Sequence, residues 1–456
     1  MTGRPPRPPL PPPPRYGEAA LSDVLPSVLS ALGVRGEQAP LALAPARRVV
    51  VLLVDGLGWQ LLCEHPQEAP FLTSLLPSAT TLTTGFPSTT ATSLTSLGTG
   101  LPPGRHGVVG FEMVLPELGR RLNALHWDPA VAPTVVQPHP TAFERARRAG
   151  VAVARVNPRA FAGTGLTEAS SGGAAQRGAD SLGELVAAAA AAVREGERSL
   201  VYVYHGDLDS TGHRAGCASD AWRYQLAHID RLAQQLASVL PPEATLLVTA
   251  DHGMVDVPEQ GRIDLRDRPD LTAGVREVAG EPRALYLYVE PAAREDVVAV
   301  WCRELQDDAW VLSRDEAEAA GWFGPQVDDV VRARIGDVVV AARGPVAVLD
   351  SRWMPAQLLG LLGMHGSLTD AERLVPLLVH PAGPGPGPPP APTSGEAQPE
   401  PAFGRLGGVP APSVSSIERL PGSWPSSCSS AERWTAASPR LPCRWSTTMP
   451  NGAGWA

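Results

Sequence analysis

The chain has 456 residues, a net charge of −9 and a sequence pI of about 5.6. This length is ample for a large core, and the acidic balance argues against a surface that binds nucleic-acid polymers. Small phosphate esters remain compatible with it, because bound divalent cations reverse the sign of the local charge.

The amino-terminal residues 1–15 are about half proline, which packs poorly in helices and strands, and they predict a disordered tail. They contain no apolar core of a signal peptide. No run of about 18 apolar residues occurs in the chain, so we expect no membrane span. Five cysteines without a CxxC pair are a poor disulfide framework. Together these features favour a cytoplasmic protein.

Residues 16–382 alternate between short apolar runs and helical stretches. Runs rich in Val and Leu predict buried strands at 49–54, 151–156, 200–204, 245–249 and 374–379. Between them, 185–194 is rich in alanine and 221–240 has apolar residues at helical spacing. Strands that alternate with helices predict an α/β fold with a mostly parallel central sheet flanked by helices.

Two segments depart from this alternation. Residues from about 255 to 345 contain the alternating run ALYLYVEP, the helical stretch AREDVVAVWCREL and the run DVVVAAR. They predict a smaller α+β lobe inserted before the last core strand. Residues 383–456 are rich in Pro, Gly and Ser and lack a period of 2 or 3.6, so they predict a second disordered tail.

Carboxylates follow three of the predicted strands directly, and two of them are paired with a histidine. Asp55 follows VVVLLV, Asp209 and His213 follow LVYVYHGDL, and Asp251 with His252 follows ATLLVTA. Ligands of open α/β sheets bind at the carboxyl ends of the strands. Oxygen and nitrogen ligands suit Zn²⁺ or Mn²⁺. Each Asp alone also fits a turn or a helix cap, so the prediction of a metal site depends on the set.

The four-residue spacing of the second pair allows both side chains to reach one cation if the intervening turn is tight, which Gly212 favours. Asp207 is an alternative carboxylate ligand nearby. A late histidine, His365 in LLGMHGSLTD, can complete one of two metal sites. His106 in GRHG competes with it, and we predict a structural role for His106.

The segment GFPSTTATSLTSLGTG, at 85–100, is dense in hydroxyl groups. A helix that begins near Thr90 would direct its free N–H groups at a phosphate, although a Ser/Thr-capped helix without a ligand has the same pattern. A threonine there can attack phosphorus if a metal lowers its hydroxyl pKa. In chain order, the residues that would form a two-metal phosphoryl-transfer site are Asp55, Thr90, Asp209, His213, Asp251, His252 and His365.

This ordered set resembles the alkaline phosphatase superfamily, specifically its type I phosphodiesterase/nucleotide pyrophosphatase branch. The matching segments are VDG at 54–56, the block FPSTT…TG at 86–100, DSTGHRAG at 209–216, ADHGM at 250–254 and MHGS at 364–367. The resemblance extends over residues from about 45 to 382. It implies an alkaline phosphatase-like fold and a site for two divalent cations, usually Zn²⁺, about 4 Å apart, with Mn²⁺ as the alternative.

The resemblance also implies roles for individual residues. The nucleophile of the family lies nine residues before the threonine of a Thr-Gly pair, which is Thr99-Gly100 here and points to Thr90, with Thr89 as the alternative. Thr90 would bridge to the cation that Asp55, Asp251 and His252 are implied to hold. The implied ligands are Asp209, His213 and His365 for one cation, and Asp55, Asp251 and His252 for the other.

We therefore expect a metal-dependent hydrolase of phosphodiester or nucleotide pyrophosphate bonds that acts through a phospho-threonine intermediate. Its expected partner is a small phosphate-ester or nucleotide substrate. One alternative is a phosphomonoesterase, which needs an added cation for the extra negative charge; Arg105, Arg120 and Arg121 follow the nucleophile segment. The other alternative is a catalytically silent binding scaffold with the same fold.

Overall fold

The computed structural model describes residues 8–383. Its strands in chain order are β1 (Arg48–Val54), β2 (Thr80–Thr83), β3 (Glu112–Leu115), β4 (Arg120–Asn123), β5 (Ala152–Asn157), β6 (Ala175–Gly178), β7 (Ser199–His205), β8 (Ala244–Thr249), β9 (Val255–Asp256), β10 (Arg262–Asp264), β11 (Val275–Glu281), β12 (Ala284–Val289), β13 (Ala309–Ser313), β14 (Val338–Ala342), β15 (Ala347–Leu349), β16 (Gly363–Met364) and β17 (Leu374–His380).

Its α-helices are α1 (Val24–Ala31), α2 (Trp59–Glu64), α3 (Pro70–Ser74), α4 (Thr90–Thr99), α5 (Pro103–His106), α6 (Pro133–Val136), α7 (Ala142–Arg148), α8 (Gly165–Ser171), α9 (Leu182–Ala192), α10 (Asp207–Ala215), α11 (Asp220–Val239), α12 (Pro269–Thr272), α13 (Arg294–Leu305), α14 (Arg314–Ala319), α15 (Asp329–Arg332), α16 (Ala356–Leu359) and α17 (Asp370–Arg373). Across the described part of the chain, every helix is too short or too polar to cross a lipid bilayer.

Seven strands form the central sheet, in the order β2-β17-β8-β1-β7-β5-β6. Six of them run in one direction, and β17 is antiparallel to both of its neighbours. In β1, six of seven residues are buried because helices cover both faces, and this explains its unbroken apolar run. The predicted fold class, a mostly parallel sheet flanked by helices, is confirmed.

A second sheet of four antiparallel strands, β11-β12-β14-β13, lies later in the chain. The helix α13 packs on one face through Trp301, which is fully buried. The other face packs against an apolar cluster that includes Phe86 and Val108 from the segment after β2. The helix and the strands that were predicted in this part of the chain are therefore present. The strands form a sheet that packs against the central part of the fold.

The segment of residues 8–15 differs from the predicted disordered tail. The Trp310 indole donates a hydrogen bond to the Pro9 carbonyl at 2.9 Å, and Arg373 donates one to the Pro12 carbonyl at 2.9 Å. The Arg15 amide donates to Thr83 Oγ1 at 2.8 Å. Proline removes backbone donors but keeps every carbonyl as an acceptor, so side-chain donors of the folded body can fix an extended proline segment. Residues 1–7 and the predicted tail beyond residue 383 lie outside the described residues.

Candidate active site

The predicted metal ligands meet at one edge of the central sheet. Asp55 follows β1, Asp251 follows β8, and α10 begins two residues after β7 ends. These strands are adjacent in the order β8-β1-β7 and run in parallel, so their carboxyl ends lie side by side. Residues that are almost 200 positions apart in sequence thereby become neighbours, as the switch-point rule for open sheets predicts.

One triplet consists of Asp55, Asp251 and His252, and its three ligand atoms lie within 4.8 Å of one another. The His252 Nε2 atom is 3.3 Å from Asp55 Oδ1 and 3.4 Å from Asp251 Oδ2. All three residues are completely buried. Two carboxylates and one imidazole therefore meet here out of contact with solvent.

The second triplet consists of Asp209, His213 and His365 and meets the same 4.8 Å limit. The His213 Nε2 atom is 3.3 Å from Asp209 Oδ2, and the His365 Nε2 atom is 3.8 Å from Asp209 Oδ1. The rings of His252 and His365 stack with a centroid distance of 3.6 Å, which places the two triplets next to each other.

A backbone carbonyl orients each of the three histidines. The Nδ1 atoms lie 2.7 Å from the Gly363 carbonyl for His213, 3.0 Å from the Gly253 carbonyl for His252, and 3.1 Å from the Ser88 carbonyl for His365. A carbonyl only accepts, so this contact assigns the proton to Nδ1 and leaves the Nε2 lone pair directed at the carboxylates. Metal-binding histidines are commonly oriented by such a partner on the other ring nitrogen.

Three carboxylate oxygens of the site are buried and have no hydrogen-bond partner: Asp55 Oδ1, Asp209 Oδ1 and Asp251 Oδ2. A buried polar atom without a partner is costly, and a buried carboxylate is stable only when it is paired or coordinates a metal. The unpartnered oxygens and the Nε2 lone pairs belong to the same two triplets. The residues present therefore fit two divalent cations.

The charges of the site lead to the same conclusion. Burial raises the pKa of Asp55 well above its usual range, and the neighbouring charges of Asp251 and Asp209 raise it further. Burial also raises the pKa of Asp251. It opposes ionisation of Asp209 as well, but contact with His213 holds the pKa of that carboxyl below its usual range. Three close carboxylates need positive charge to ionise together, and bound cations would supply it.

The structure places Thr90 as the first residue of α4, with its hydroxyl directed at the first triplet. Thr90 Oγ1 lies 3.2 Å from His252 Nε2 and 3.5 Å from Asp55 Oδ2. Thr89 is the N-cap residue, and its side chain makes no cap hydrogen bond, so it does not compete for the N–H groups of the first turn. Of the two candidate hydroxyls, the one that contacts the carboxylate–histidine group is that of Thr90.

The segment that links Asp209 to His213 is the helix α10 and not the tight turn that we expected. Side chains four residues apart lie on one face of a helix, which brings the carboxylate and the imidazole together without a sharp bend. Gly212 has a packing role, because a Cβ at this position would lie 2.5 Å from Met254 Sδ. Asp207 is 73% exposed and its carboxylate lies 3.8 Å from His205 Nε2, outside both triplets.

Gly56 allows the first strand end to approach α10 closely. Its φ is +77°, and a Cβ there would lie 3.1 Å from the Asp209 Cα. A side chain would be strained in this conformation and would displace a ligand-bearing helix.

Two residues near the site carry no sequence signal of their own. The Tyr204 hydroxyl donates a 2.6 Å hydrogen bond to Asp55 Oδ2. Glu281, at the end of β11, places Oε2 3.8 Å from His365 Nδ1, and burial raises its pKa to about 8. Tyr204 lies within an ordinary apolar strand, and Glu281 is 84 residues before the histidine it faces, so only the tertiary fold brings them into the site.

His106 lies outside both triplets. Its Nδ1 accepts a hydrogen bond from the Val108 amide at 3.1 Å, and its Nε2 is 2.9 Å from Ser96 Oγ. Burial lowers its pKa from the usual 6.5 to about 3, so the neutral ring is the stable form. These contacts are those of a structural histidine.

Comparison with known proteins agrees with this geometry. No curated protein sequence matches the chain. Among solved structures, murine ectonucleotide pyrophosphatase/phosphodiesterase 5 superposes with a TM-score of 0.59 at 19% identity, over 74% of this chain and 88% of that one. The human protein of the same name gives 0.56 at 18% identity, over 73% and 88%. Phosphonoacetate hydrolase from Sinorhizobium meliloti 1021 gives 0.57 at 21% identity, over 76% and 93%.

These structural likenesses support the alkaline phosphatase-like fold. The family description "Type I phosphodiesterase / nucleotide pyrophosphatase" matches residues 49–368, which is more than half of the chain and includes all seven predicted site residues. Members of this family are hydrolases of phosphoric esters. The chain belongs to the type I phosphodiesterase/nucleotide pyrophosphatase family of the alkaline phosphatase superfamily.

Proposed function

We propose that the protein hydrolyses phosphodiester or nucleotide pyrophosphate bonds at a two-metal site through a phospho-threonine intermediate on Thr90. The observation that carries this proposal is the position of the Thr90 hydroxyl, 3.2 Å from His252 Nε2 at the amino terminus of α4 and beside two adjacent ligand triplets. One related structure, an inactive variant of the murine enzyme, is in complex with AMP, and this supports a small substrate that carries a phosphoryl group.

The ligand chemistry supports Zn²⁺, with Mn²⁺ as the alternative, since the triplets offer carboxylate oxygen and imidazole nitrogen. Asp55, Asp251 and His252 would hold one ion, and Asp209, His213 and His365 the other. Bound there, the cations would act as Lewis acids on the reacting oxygens and offset the negative charge of the phosphoryl group.

Thr90 supplies the nucleophile in this mechanism. Attack forms a bond between Thr90 Oγ1 and phosphorus while the bond from phosphorus to the leaving oxygen breaks, and the hydroxyl proton leaves to solvent or to the leaving oxygen. The oxygen of a water molecule then bonds to phosphorus as the bond from phosphorus to Thr90 Oγ1 breaks, and a proton from that water restores the hydroxyl. The N–H groups of the first turn of α4 hold the phosphoryl oxygens, because an amino-terminal turn lacks intrahelical acceptors and favours anions. Tyr204 holds Asp55 in place through its 2.6 Å hydrogen bond.

The phosphomonoesterase alternative needs an added cation at the phosphate. The three arginines that follow the nucleophile segment each pair with a carboxylate: Arg105 with Asp328 at 3.1 Å, Arg120 with Asp128 at 2.8 Å, and Arg121 with Glu112 at 3.2 Å. Their charges are already compensated, so none is available to a monoester without breaking a pair. For these three arginines, the diester is the better match, because it carries one negative charge less.

The test compares bis(p-nitrophenyl) phosphate with p-nitrophenyl phosphate, each with and without a chelator. We expect cleavage that the chelator abolishes, that added Zn²⁺ or Mn²⁺ restores, and that favours the diester. Preference for the monoester would move the assignment to a phosphatase. Chelator-resistant cleavage would overturn the two-metal mechanism.

Metal content tests the ligand assignment independently of activity. The replacement Asp209→Asn removes a charge shared by two histidines of the second triplet, so we expect the bound metal to fall from two ions to about one per chain. Asp207→Asn is the matched control on the same helix and should leave the stoichiometry unchanged, because that carboxylate faces solvent. Elemental analysis of the purified variants measures both. Loss of metal in Asp207→Asn alone would show that Asp207, and not Asp209, is the ligand.

A further inference from the structure

A cavity of about 460 Å³ lies directly against the nucleophile. This volume is within the range of sites that bind small molecules. Thr89, Thr90 and the second triplet form one part of its lining. Much of the remaining lining is apolar and comes from distant parts of the chain: Phe111, Leu125, Trp353, Met354, Leu358 and Leu361. A substrate whose phosphorus is at Thr90 therefore extends one of its groups along an apolar surface.

One short segment, residues 353–361, provides much of this apolar surface, and we refer to it as the apolar wall. It lies between β15 and β16, and the fold holds it from several directions. Arg262 donates a 2.7 Å hydrogen bond to the Leu359 carbonyl. The guanidinium of Arg121 lies 4.8 Å above the ring of Trp353. These contacts hold the apolar wall against the rest of the fold, and Trp353 remains 40% exposed beside the cavity.

Several polar side chains of the lining are already engaged. Glu112 pairs with Arg121 and also accepts a hydrogen bond from Asn123 at 3.3 Å. The Ser210 hydroxyl donates to the Asp207 carbonyl at 3.3 Å. Arg214 and Gln357 are exposed to solvent. Base-specific recognition of a nucleotide needs hydrogen bonds to the edge of the base, whereas this interior offers mostly carbon surface.

We propose that the cavity binds an alkyl or aryl arm of the substrate, so that the enzyme acts on phosphodiesters that carry one bulky apolar ester group. The inference rests on the proposed function, because attack by Thr90 fixes where the phosphorus lies. It goes beyond that function by naming the chemical class of the group attached to the phosphate. Burial of such an arm would be driven by removal of its apolar surface from water.

Direct binding tests the inference without requiring turnover. Methyl, butyl and hexyl phosphate and AMP are titrated into the Zn²⁺-supplemented full chain by isothermal calorimetry. Each methylene that becomes fully buried strengthens binding by about fourfold, so hexyl phosphate should bind at least tenfold more tightly than methyl phosphate. Its binding should also show the more negative heat-capacity change that marks apolar burial.

Variants of the apolar wall locate the effect. Leu358→Ala and Trp353→Ala should reduce the difference between hexyl and methyl phosphate by about tenfold while methyl phosphate binds as in the wild type. Leu362→Ala is the matched control: Leu362 follows the same segment and is 41% exposed outside the cavity lining, so the chain-length dependence should remain.

Equal affinity for methyl and hexyl phosphate, or tighter binding of AMP than of hexyl phosphate, would overturn the inference. Cleavage of bis(p-nitrophenyl) phosphate tests the proposed function separately. Cleavage without chain-length dependence refutes the apolar arm alone. Chain-length dependence without cleavage of any diester refutes the hydrolytic mechanism and leaves the apolar binding site in place.

Discussion

The backbone carbonyls behind His213, His252 and His365 decide what these side chains can do. Each carbonyl accepts the Nδ1 proton at 2.7 to 3.1 Å and so directs Nε2 at a carboxylate. His106 has the opposite arrangement, because its Nδ1 accepts from the Val108 amide. Histidine is thus a candidate ligand in three places and a structural residue in a fourth. The difference lies in which ring nitrogen carries the proton, and the backbone group that faces Nδ1 selects this tautomer.

Thr90→Ala tests the nucleophile. We expect loss of at least a thousandfold in kcat for bis(p-nitrophenyl) phosphate, because the attacking oxygen is removed, while the melting temperature and the metal content stay close to those of the wild type. Thr89→Ala is the matched control from the adjacent position and should retain most activity. Thr90→Ser should restore part of the rate. Activity of Thr90→Ala within a few-fold of the wild type would exclude Thr90 and direct attention to Thr89.

His106 predicts a specific pH dependence of stability. Its pKa falls to about 3 in the folded state from an ordinary 6.5, so between these values the unfolded chain binds a proton that the folded chain does not. Stability from this group is complete above pH 6.5 and declines as the pH falls. Between pH 7.5 and pH 5 the loss is about 2 kcal/mol.

His106→Asn keeps an acceptor for the Val108 amide but does not titrate in this range. Its free energy of unfolding, measured in urea at pH 7.5 and at pH 5, should therefore fall by about 2 kcal/mol less than that of the wild type. Identical pH dependence in both proteins would contradict the assigned pKa of His106.

At the scale of elements, a buried ion pair connects the second sheet to the segment that carries His365. Arg283, just after β11, donates to Glu372 on α17 through two nitrogens at 2.7 and 2.8 Å, and both side chains are completely buried. Glu372 also accepts from the Ser367 amide at 3.0 Å. The chain between His365 and β17 is therefore tied to the lobe that supplies part of the cavity.

Breaking this pair from one side should be costly. Arg283→Met leaves the Glu372 carboxylate buried without its partner, and we expect a loss of about 3 to 5 kcal/mol in the free energy of unfolding. The double variant Arg283→Met/Glu372→Gln removes the stranded charge and should recover part of that loss. Urea unfolding of the single and double variants measures the difference. A double variant less stable than Arg283→Met would show that the ion pair is not the source of the effect.

At the scale of the whole molecule, the amino-terminal proline segment connects both sheets. Its Pro9 carbonyl accepts from Trp310 on β13, and its Pro12 carbonyl accepts from Arg373 at the end of α17, directly before β17. Tyr16 follows and donates to the Trp322 carbonyl at 2.9 Å. The segment therefore stabilises the packing of the four-stranded sheet against the central one.

Removal of residues 1–15 should lower the melting temperature by several degrees, since each lost hydrogen bond is worth about 1 kcal/mol. Removal of residues 1–7 is the matched control and spares the contacts of Pro9, Pro12 and Arg15. Differential scanning calorimetry compares the two deletions. Equal melting temperatures would show that the segment contributes nothing to stability, as a disordered tail would.

The fold class and the seven residues that the structure brings together could be predicted from the amino-acid sequence. This was possible because strand formation is a local property of apolar runs and because the carboxyl ends of adjacent parallel strands share one edge. Asp55, Asp209 and Asp251 all stand directly after or close to such a run, so their convergence follows from the topology. Their roles as ligands, the metal identity and the cytoplasmic location stay predictions.

The orientation of these residues and the composition of their surroundings depend on tertiary packing. Asp209 and His213 lie on a helix because α10 begins two residues after β7 ends. Gly212 between them had instead suggested a tight turn. The approach of Glu281 to His365 spans 84 positions of the chain, and that of Trp353 to the cavity beside Thr90 spans 263. No local pattern encodes contacts at that separation; they arise when two sheets pack together, and the packing sets the shape of the cavity.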